Sequence, residues 1–162
     1  MKKISFFRHG KSSWKYPVED VHRPLSGRGL RQASSMAGAC LLEQPDLVLS
    51  SPASRAYATA LIYVKECQLP LEMLRLCPEL YAGDTQDVLK VLWALPEDVH
   101  DLWLFGHNPG LNEVLAFLLG EEIVNIVTSA YVTVHVDVRA WPELRPDKGQ
   151  LLHFNCPEKS RT

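Results

Sequence analysis

Apolar and polar positions along the chain fall into blocks that alternate between two periods. Lys3 to Phe7 is a short β-type apolar run ending abruptly in Arg8-His9-Gly10-Lys11-Ser12-Ser13, which predicts a buried strand followed by a polar turn. Leu30 to Leu42 carries apolar residues at helical spacing, with Ser26-Gly27-Arg28-Gly29 before it and Pro45 after it. Asp46 to Leu49 reads as a second strand running into Ser50-Ser51-Pro52, and Ala53 to Glu66 as a helix with Arg55 in its first turn.

The alternation continues. Leu71 to Leu76 reads as a strand, Pro78 to Asp84 as a loop, and Thr85 to Leu95 as a helix. Asp101 to Phe105 is a further strand, followed by Gly106-His107-Asn108-Pro109-Gly110 and a helix through Leu119. Tyr131 to Val138 alternates apolar and polar residues, Leu151 to Phe154 reads as a last strand, and the tail from about Pro157 is expected to fray. Strands alternating with helices without a break in composition predict one domain over 1–162. The expected fold is a three-layer α/β/α sandwich around a mostly parallel sheet. Ligands of such folds collect beyond the carboxyl ends of the strands, so the turns at Arg8-His9, Ser51 to Arg55 and Gly106-His107 can converge on one site.

Composition narrows the function. The 162 residues are 46% hydrophobic and 22% charged, which excludes a disordered chain. A formal charge of −2 provides no field to draw nucleic acid or an anionic membrane. No apolar run reaches the roughly 20 residues of a bilayer span, and the N-terminal run is too short for a signal-peptide core. A cytoplasmic location is expected. Cys40, Cys67, Cys77 and Cys156 form no C-x-x-C pair and are expected to be free, buried thiols, with no metal site.

Two histidines and two arginines at strand ends are an unusual set. Arginine presents a planar, permanently charged fork suited to phosphate, and imidazole can act as nucleophile and proton carrier near neutral pH. Together they point to phosphoryl transfer. Walker-type loops, G-x-S-x-G elbows and H-E-x-x-H helices are missing from the sequence. Arg23 and Arg28 read as surface charges, and His22, His100, His135 and His153 as structural or exposed. Trp93 and Trp103 read as core.

Phe7-Arg8-His9-Gly10 after a strand resembles the R-H-G signature of the histidine phosphatase superfamily, the phosphoglycerate-mutase-like proteins. Ser50-Ser51-Pro52-Ala53-Ser54-Arg55-Ala56 with Thr59-Ala60 is similar to the family's S-S-P-x-x-R-A-x-x-T-A element, and Gly106-His107 to its second catalytic histidine. The short length, Arg23-Pro24-Leu25-Ser26-Gly27-Arg28-Gly29, Pro78-Glu79-Leu80-Tyr81 and Gly106 to Leu111 resemble the SixA-type phosphohistidine phosphatase branch, which lacks an inserted helical subdomain.

The resemblance implies a cofactor-independent phosphatase with an open site that admits a phosphohistidine displayed on another protein. It makes His9 the nucleophile, Arg8, Arg55 and His107 the phosphate-binding groups, and Glu79 the candidate proton donor. Lys11, Ser12 and Asn108 are candidates for the pocket rim, with Ser13 and Trp14 nearby. Two other readings stay open: hydrolysis or mutase-like transfer on a small phosphate ester, and a phosphoprotein-binding module without turnover.

Overall fold

A computed structural model describes residues 1–122 and 125–158. Residues 159–162, which hold most of the tail expected to fray, lie outside the described residues. In chain order the elements are β1 (Lys2–Arg8), α1 (Gly27–Gly38), β2 (Leu47–Ser50), α2 (Ser54–Glu66), β3 (Leu74–Leu76), α3 (Glu79–Ala82) and α4 (Thr85–Trp93). They continue with β4 (Asp101–Gly106), α5 (Gly110–Leu119), β5 (Tyr131–Val136) and β6 (Gly149–Asn155). The strands form one sheet in the order β3-β2-β4-β1-β5-β6, in which only β5 runs against the others.

Side chains of β1 alternate between the two faces, as the strand period requires. Ile4 and Phe6 join a core built with α4 and α5, including Leu89, Leu92, Leu115 and Leu118. Phe7 faces the opposite core against α1 and α2, where its ring lies 4.3 Å from Phe105 and 4.8 Å from Tyr63. Both faces of the sheet are therefore covered, which gives the expected three layers. No helical insertion interrupts this order among the described residues, and none of their helices is long and apolar enough to cross a membrane.

Several boundaries differ from the sequence pattern, for local reasons. Helix α1 starts earlier because the Ser26 hydroxyl accepts from Gly29 N at 3.1 Å, and it ends at Gly38 although apolar spacing continues to Leu42. Glycine weakens a helix interior, and Leu41 beyond it is 95% exposed. Only Leu74–Leu76 of the expected third strand pairs with β2; Leu71–Met73, after Pro70, form a 3-10 turn. The expected loop at Pro78 contains a single helical turn, α3. Cysteines were expected inside, yet only Cys77 is buried; Cys40 and Cys67 are half-buried and Cys156 is exposed at the chain's end. Trp103 is buried, and Trp93 packs partly buried against the core.

Candidate active site

Register brings the three polar turns together. Arg8 pairs with Gly106 and Ser50 with Phe105, so β1, β4 and β2 end at the same edge of the sheet and release their next residues into one space. His9 N donates to Gly106 O at 3.2 Å and Ser51 N to Phe105 O at 3.0 Å, which holds the first residues beyond the strands. The imidazoles of His9 and His107 lie 5.0 Å apart between centroids.

Each of the four groups singled out in the sequence is anchored at one end. His9 Nδ1 lies 2.7 Å from Gly10 O. A carbonyl can only accept, so Nδ1 carries the hydrogen and Nε2 keeps its lone pair. His107 Nε2 lies 2.8 Å from Ser51 Oγ, which also accepts from Ala53 N at 3.2 Å. With the hydroxyl hydrogen given to Nε2, the His107 hydrogen sits on Nδ1, a buried atom with no partner among the described residues. Arg8 donates from Nη1 to Ile126 O at 3.0 Å, and Arg55 donates from Nη1 to Asp20 O at 2.8 Å and from Nη2 to Asp20 Oδ2 at 3.1 Å. The Nε atoms of both arginines are buried and unpartnered among the described residues.

This concentration of cations in a buried space sets the protonation states. Burial first, then the charges of Arg55, Arg8 and Arg23, push His9 down to about 4 against the bond to Gly10 O. His107 is pushed down to about 3, again by burial first and then by His9 and Arg55. Both imidazoles are neutral at pH 7.

The short stretches around these groups are tied down by residues the motifs contain. The Thr59 hydroxyl accepts from Gly10 N at 3.0 Å and donates to Arg55 O at 2.8 Å, fixing the β1 turn on α2. Lys11 O accepts from both Ser26 N (2.8 Å) and Ser26 Oγ (3.1 Å). The backbones approach so closely that a Cβ on Gly29 would lie 2.1 Å from Lys11 O. These glycines are needed for space.

Among the rim candidates, Lys11 is exposed, and Ser12 Oγ accepts from Arg23 Nη1 at 2.7 Å. Asn108 donates from Nδ2 to Asn125 Oδ1 (2.9 Å) and to Ile126 O (2.7 Å), the carbonyl that also anchors Arg8. A cleft of about 290 Å³ opens beside His107, between Tyr81, Asn108 and the first turns of α4 and α5. A recess of about 420 Å³ near Met36 and Tyr131 holds none of these groups.

Glu79 is exposed, and its carboxylate accepts from the Cys77 thiol at 3.2 Å. The backbone N–H at the start of α3 and the Cys77 thiol hold it below the usual carboxylate range, the opposite of what a proton donor requires. No hydrogen bond connects it to His9, His107, Arg8 or Arg55 among the described residues.

Arg23 is a correction to the surface reading. It is 8% exposed, donates to Asp20 and Ser12, and stacks on Trp14 with its guanidinium carbon 3.5 Å from the ring centroid. Arg28 is exposed as expected. Asp20 is the residue that sequence reasoning missed: its carboxylate accepts from Tyr81 Oη (2.8 Å), Arg55 Nη2 (3.1 Å) and Arg23 Nε (3.0 Å). Those bonds, Tyr81's foremost, hold it down to about 2. Its surrounding stretch has no periodicity that would have marked it.

Comparison with known proteins agrees with this geometry. The family model of the histidine phosphatase superfamily (branch 1) matches residues 4–118, a span that contains both histidines and both arginines of the site. An uncharacterized protein of Mycobacterium leprae is 28% identical over 165 residues, covering 93% of this chain and 99% of its own. The structure of the protein histidine phosphatase SixA complexed with tungstate aligns with a TM-score of 0.80 at 27% identity, over 94% of this chain and 95% of that one. The crystal structure of a phosphohistidine phosphatase SixA, so described only provisionally, from Agrobacterium tumefaciens aligns with a TM-score of 0.82 at 23% identity, over 96% and 98%. The chain belongs to the histidine phosphatase superfamily, branch 1, is built like its SixA-type members, and is a phosphatase.

Proposed function

We propose that this phosphatase removes the phosphoryl group from phosphohistidine carried on another protein, through a phosphohistidine formed on His9. The observation that carries the reading is the anchoring pattern: His9, His107, Arg8 and Arg55 are each fixed at one end, while Arg8 Nε, Arg55 Nε and His107 Nδ1 remain buried, unpartnered donors among the described residues. Three buried groups with donor capacity to spare, on residues next to His9 or carrying charges that reach it, suit a transferring phosphoryl group with three equatorial oxygens. Leaving buried donors unpaired costs about 1–3 kcal/mol each, a cost that a bound oxyanion offsets.

In this mechanism His9 Nε2 attacks phosphorus as the P–N bond to the substrate imidazole breaks, and the leaving imidazole keeps a proton taken from solvent. Water then attacks the phosphorus on His9, its proton passing to solvent, and inorganic phosphate departs with His9 neutral again. Arg8, Arg55 and His107 offset the charge on the oxygens in both steps. An imidazole leaves readily once protonated, so the reaction does not depend on Glu79. Likeness to SixA at 27% identity supports a protein-borne substrate. The same proposal takes the whole chain as one catalytic domain acting in the cytoplasm, with its four cysteines free.

The test is phosphate release by wild type and His9→Ala from a phosphohistidine-bearing protein and from a panel of small phosphate esters. Preference for the protein, lost in the variant, is the expected result. Preference for an ester would move the function to metabolite hydrolysis, and binding without release on either would favour a phosphoprotein-binding module.

A further inference from the structure

Arg55 can serve a phosphoryl group only if the donors it has free face the pocket, and no side-chain hydrogen bond within α2 fixes its guanidinium among the described residues. A guanidinium is a rigid plane, so holding its two outer nitrogens determines where the third points. Both outer nitrogens of Arg55 are held by one residue: Nη1 by the Asp20 backbone carbonyl at 2.8 Å and Nη2 by its carboxylate at 3.1 Å.

Asp20 is itself held from two other directions. Arg23 Nε donates to Oδ1 at 3.0 Å, and Arg23 is in turn bound to Ser12 and stacked on Trp14. Tyr81 Oη, from α3, donates to Oδ2 at 2.8 Å, while the Tyr81 ring meets His107 edge-on at 5.7 Å. The Asp20 carboxylate thus joins α2, α3 and the turn after β1, the three segments around the candidate phosphate pocket. Its side chain is still 50% exposed. Arg55 at the other end is buried, so the pair both offsets a buried charge and fixes the orientation of the guanidinium, and the two effects are separated by following unfolding alongside binding.

We propose that Asp20 is a positioning residue for phosphoryl transfer: it turns the free edge of Arg55 onto the phosphate oxygens, with Tyr81 and Arg23 holding the carboxylate in place. This rests on the reading of His9, His107, Arg8 and Arg55 as the phosphate site. The carboxylate does not touch the phosphoryl group and competes for none of its donors, since Arg55 keeps Nε and one hydrogen on each outer nitrogen.

The experiment measures tungstate inhibition and turnover of the substrate that wild type hydrolyses, for Asp20→Ala, Asp20→Asn, Arg55→Ala and the double variant Asp20→Ala/Arg55→Ala. Thermal unfolding is followed alongside. Asp20→Ala is expected to weaken tungstate and lower kcat/KM on the order of 10- to 100-fold, with Asn partly restoring both because it still accepts a hydrogen bond. The double variant should fall within about threefold of Arg55→Ala alone, because Asp20 acts through Arg55. Losses that simply multiply in the double variant, or a lowered unfolding temperature with unchanged tungstate inhibition, would overturn the proposal. So would tighter tungstate binding by Asp20→Ala, which would make the carboxylate a rival anion. If Arg55→Ala itself leaves tungstate inhibition unchanged, the phosphate site has been misassigned and the proposal falls with it.

Discussion

Ser51 and His107 meet at 2.8 Å, Oγ to Nε2, across the ends of two neighbouring parallel strands. The contact does more than fill space, because it couples the tautomer of His107 to the Ser51 hydroxyl: with that hydrogen directed at Nε2, the other ring nitrogen becomes the donor. Replacing Ser51 with Ala should free the ring to rotate and change tautomer. The expected outcome is a fall in kcat on the order of 10- to 100-fold with unfolding temperature little changed, read from steady-state kinetics and thermal melts.

The depressed histidines set an acid limit. A group whose folded pKa lies below its unfolded value binds fewer protons when folded, so stability rises with pH across the interval between the two. For His9 that interval runs from about 4 to the ordinary 6.5, and for His107 from about 3 to 6.5. The protein should therefore lose stability steadily as pH falls from 6.5 towards 4. Over the same range kcat/KM should hold, after allowance for the substrate's own ionisation, and decline only near pH 4. An acid limb centred near 6.5 would contradict the neutral, buried His9 described above.

Glu79 separates two kinds of leaving group. A true general acid contributes on the order of 100-fold or more, whereas Glu79→Gln is expected to change phosphohistidine hydrolysis by less than about threefold. The variant enzyme assayed with phosphohistidine protein and with an alkyl phosphate gives the answer, and a large loss on both would restore Glu79 as the proton donor.

Close backbone contact at α1 should be as sensitive as the chemistry. A methyl on Gly29 would lie 2.1 Å from Lys11 O, so Gly29→Ala must push the turn that carries His9 and Gly10 out of place. A displacement near 1 Å at reacting groups costs roughly 100-fold in rate. Activity should fall by about that much while circular dichroism still reports a folded chain.

Thr59→Val tests the other clasp on the same turn. Its hydroxyl is the partner of Gly10 N at 3.0 Å, and the isosteric valine leaves that buried donor unpaired. Denaturant unfolding should show a loss of about 1–3 kcal/mol.

Apolar patterning was enough to place all six strands and the four longer helices, because the inner strands, buried on both faces, read as short continuous apolar runs and the helices, buried on one face, as runs of helical spacing. The R-H-G, S-S-P-x-x-R-A and G-H motifs named His9, Arg55 and His107, since the two histidines stand immediately beyond strands whose ends the apolar pattern marks and Arg55 opens the helix that follows another. Helix ends were less legible: the Ser26 cap and the halt at Gly38 depend on single hydrogen bonds and on glycine's weak propensity, neither of which shows in periodicity.

What the chain determines on its own is thus the order of elements and the kind of chemistry at their ends. The register of β1, β2 and β4 decides that those ends coincide, and packing decides which end of each histidine and arginine is anchored. Asp20, Arg23 and Tyr81 acquire their roles only there, because bonds between residues as far apart as 20 and 81 leave no period in the sequence. Glu79 illustrates the converse: the family resemblance marks it as a candidate acid, and only the fold shows its carboxylate bound to Cys77, held ionised at the surface.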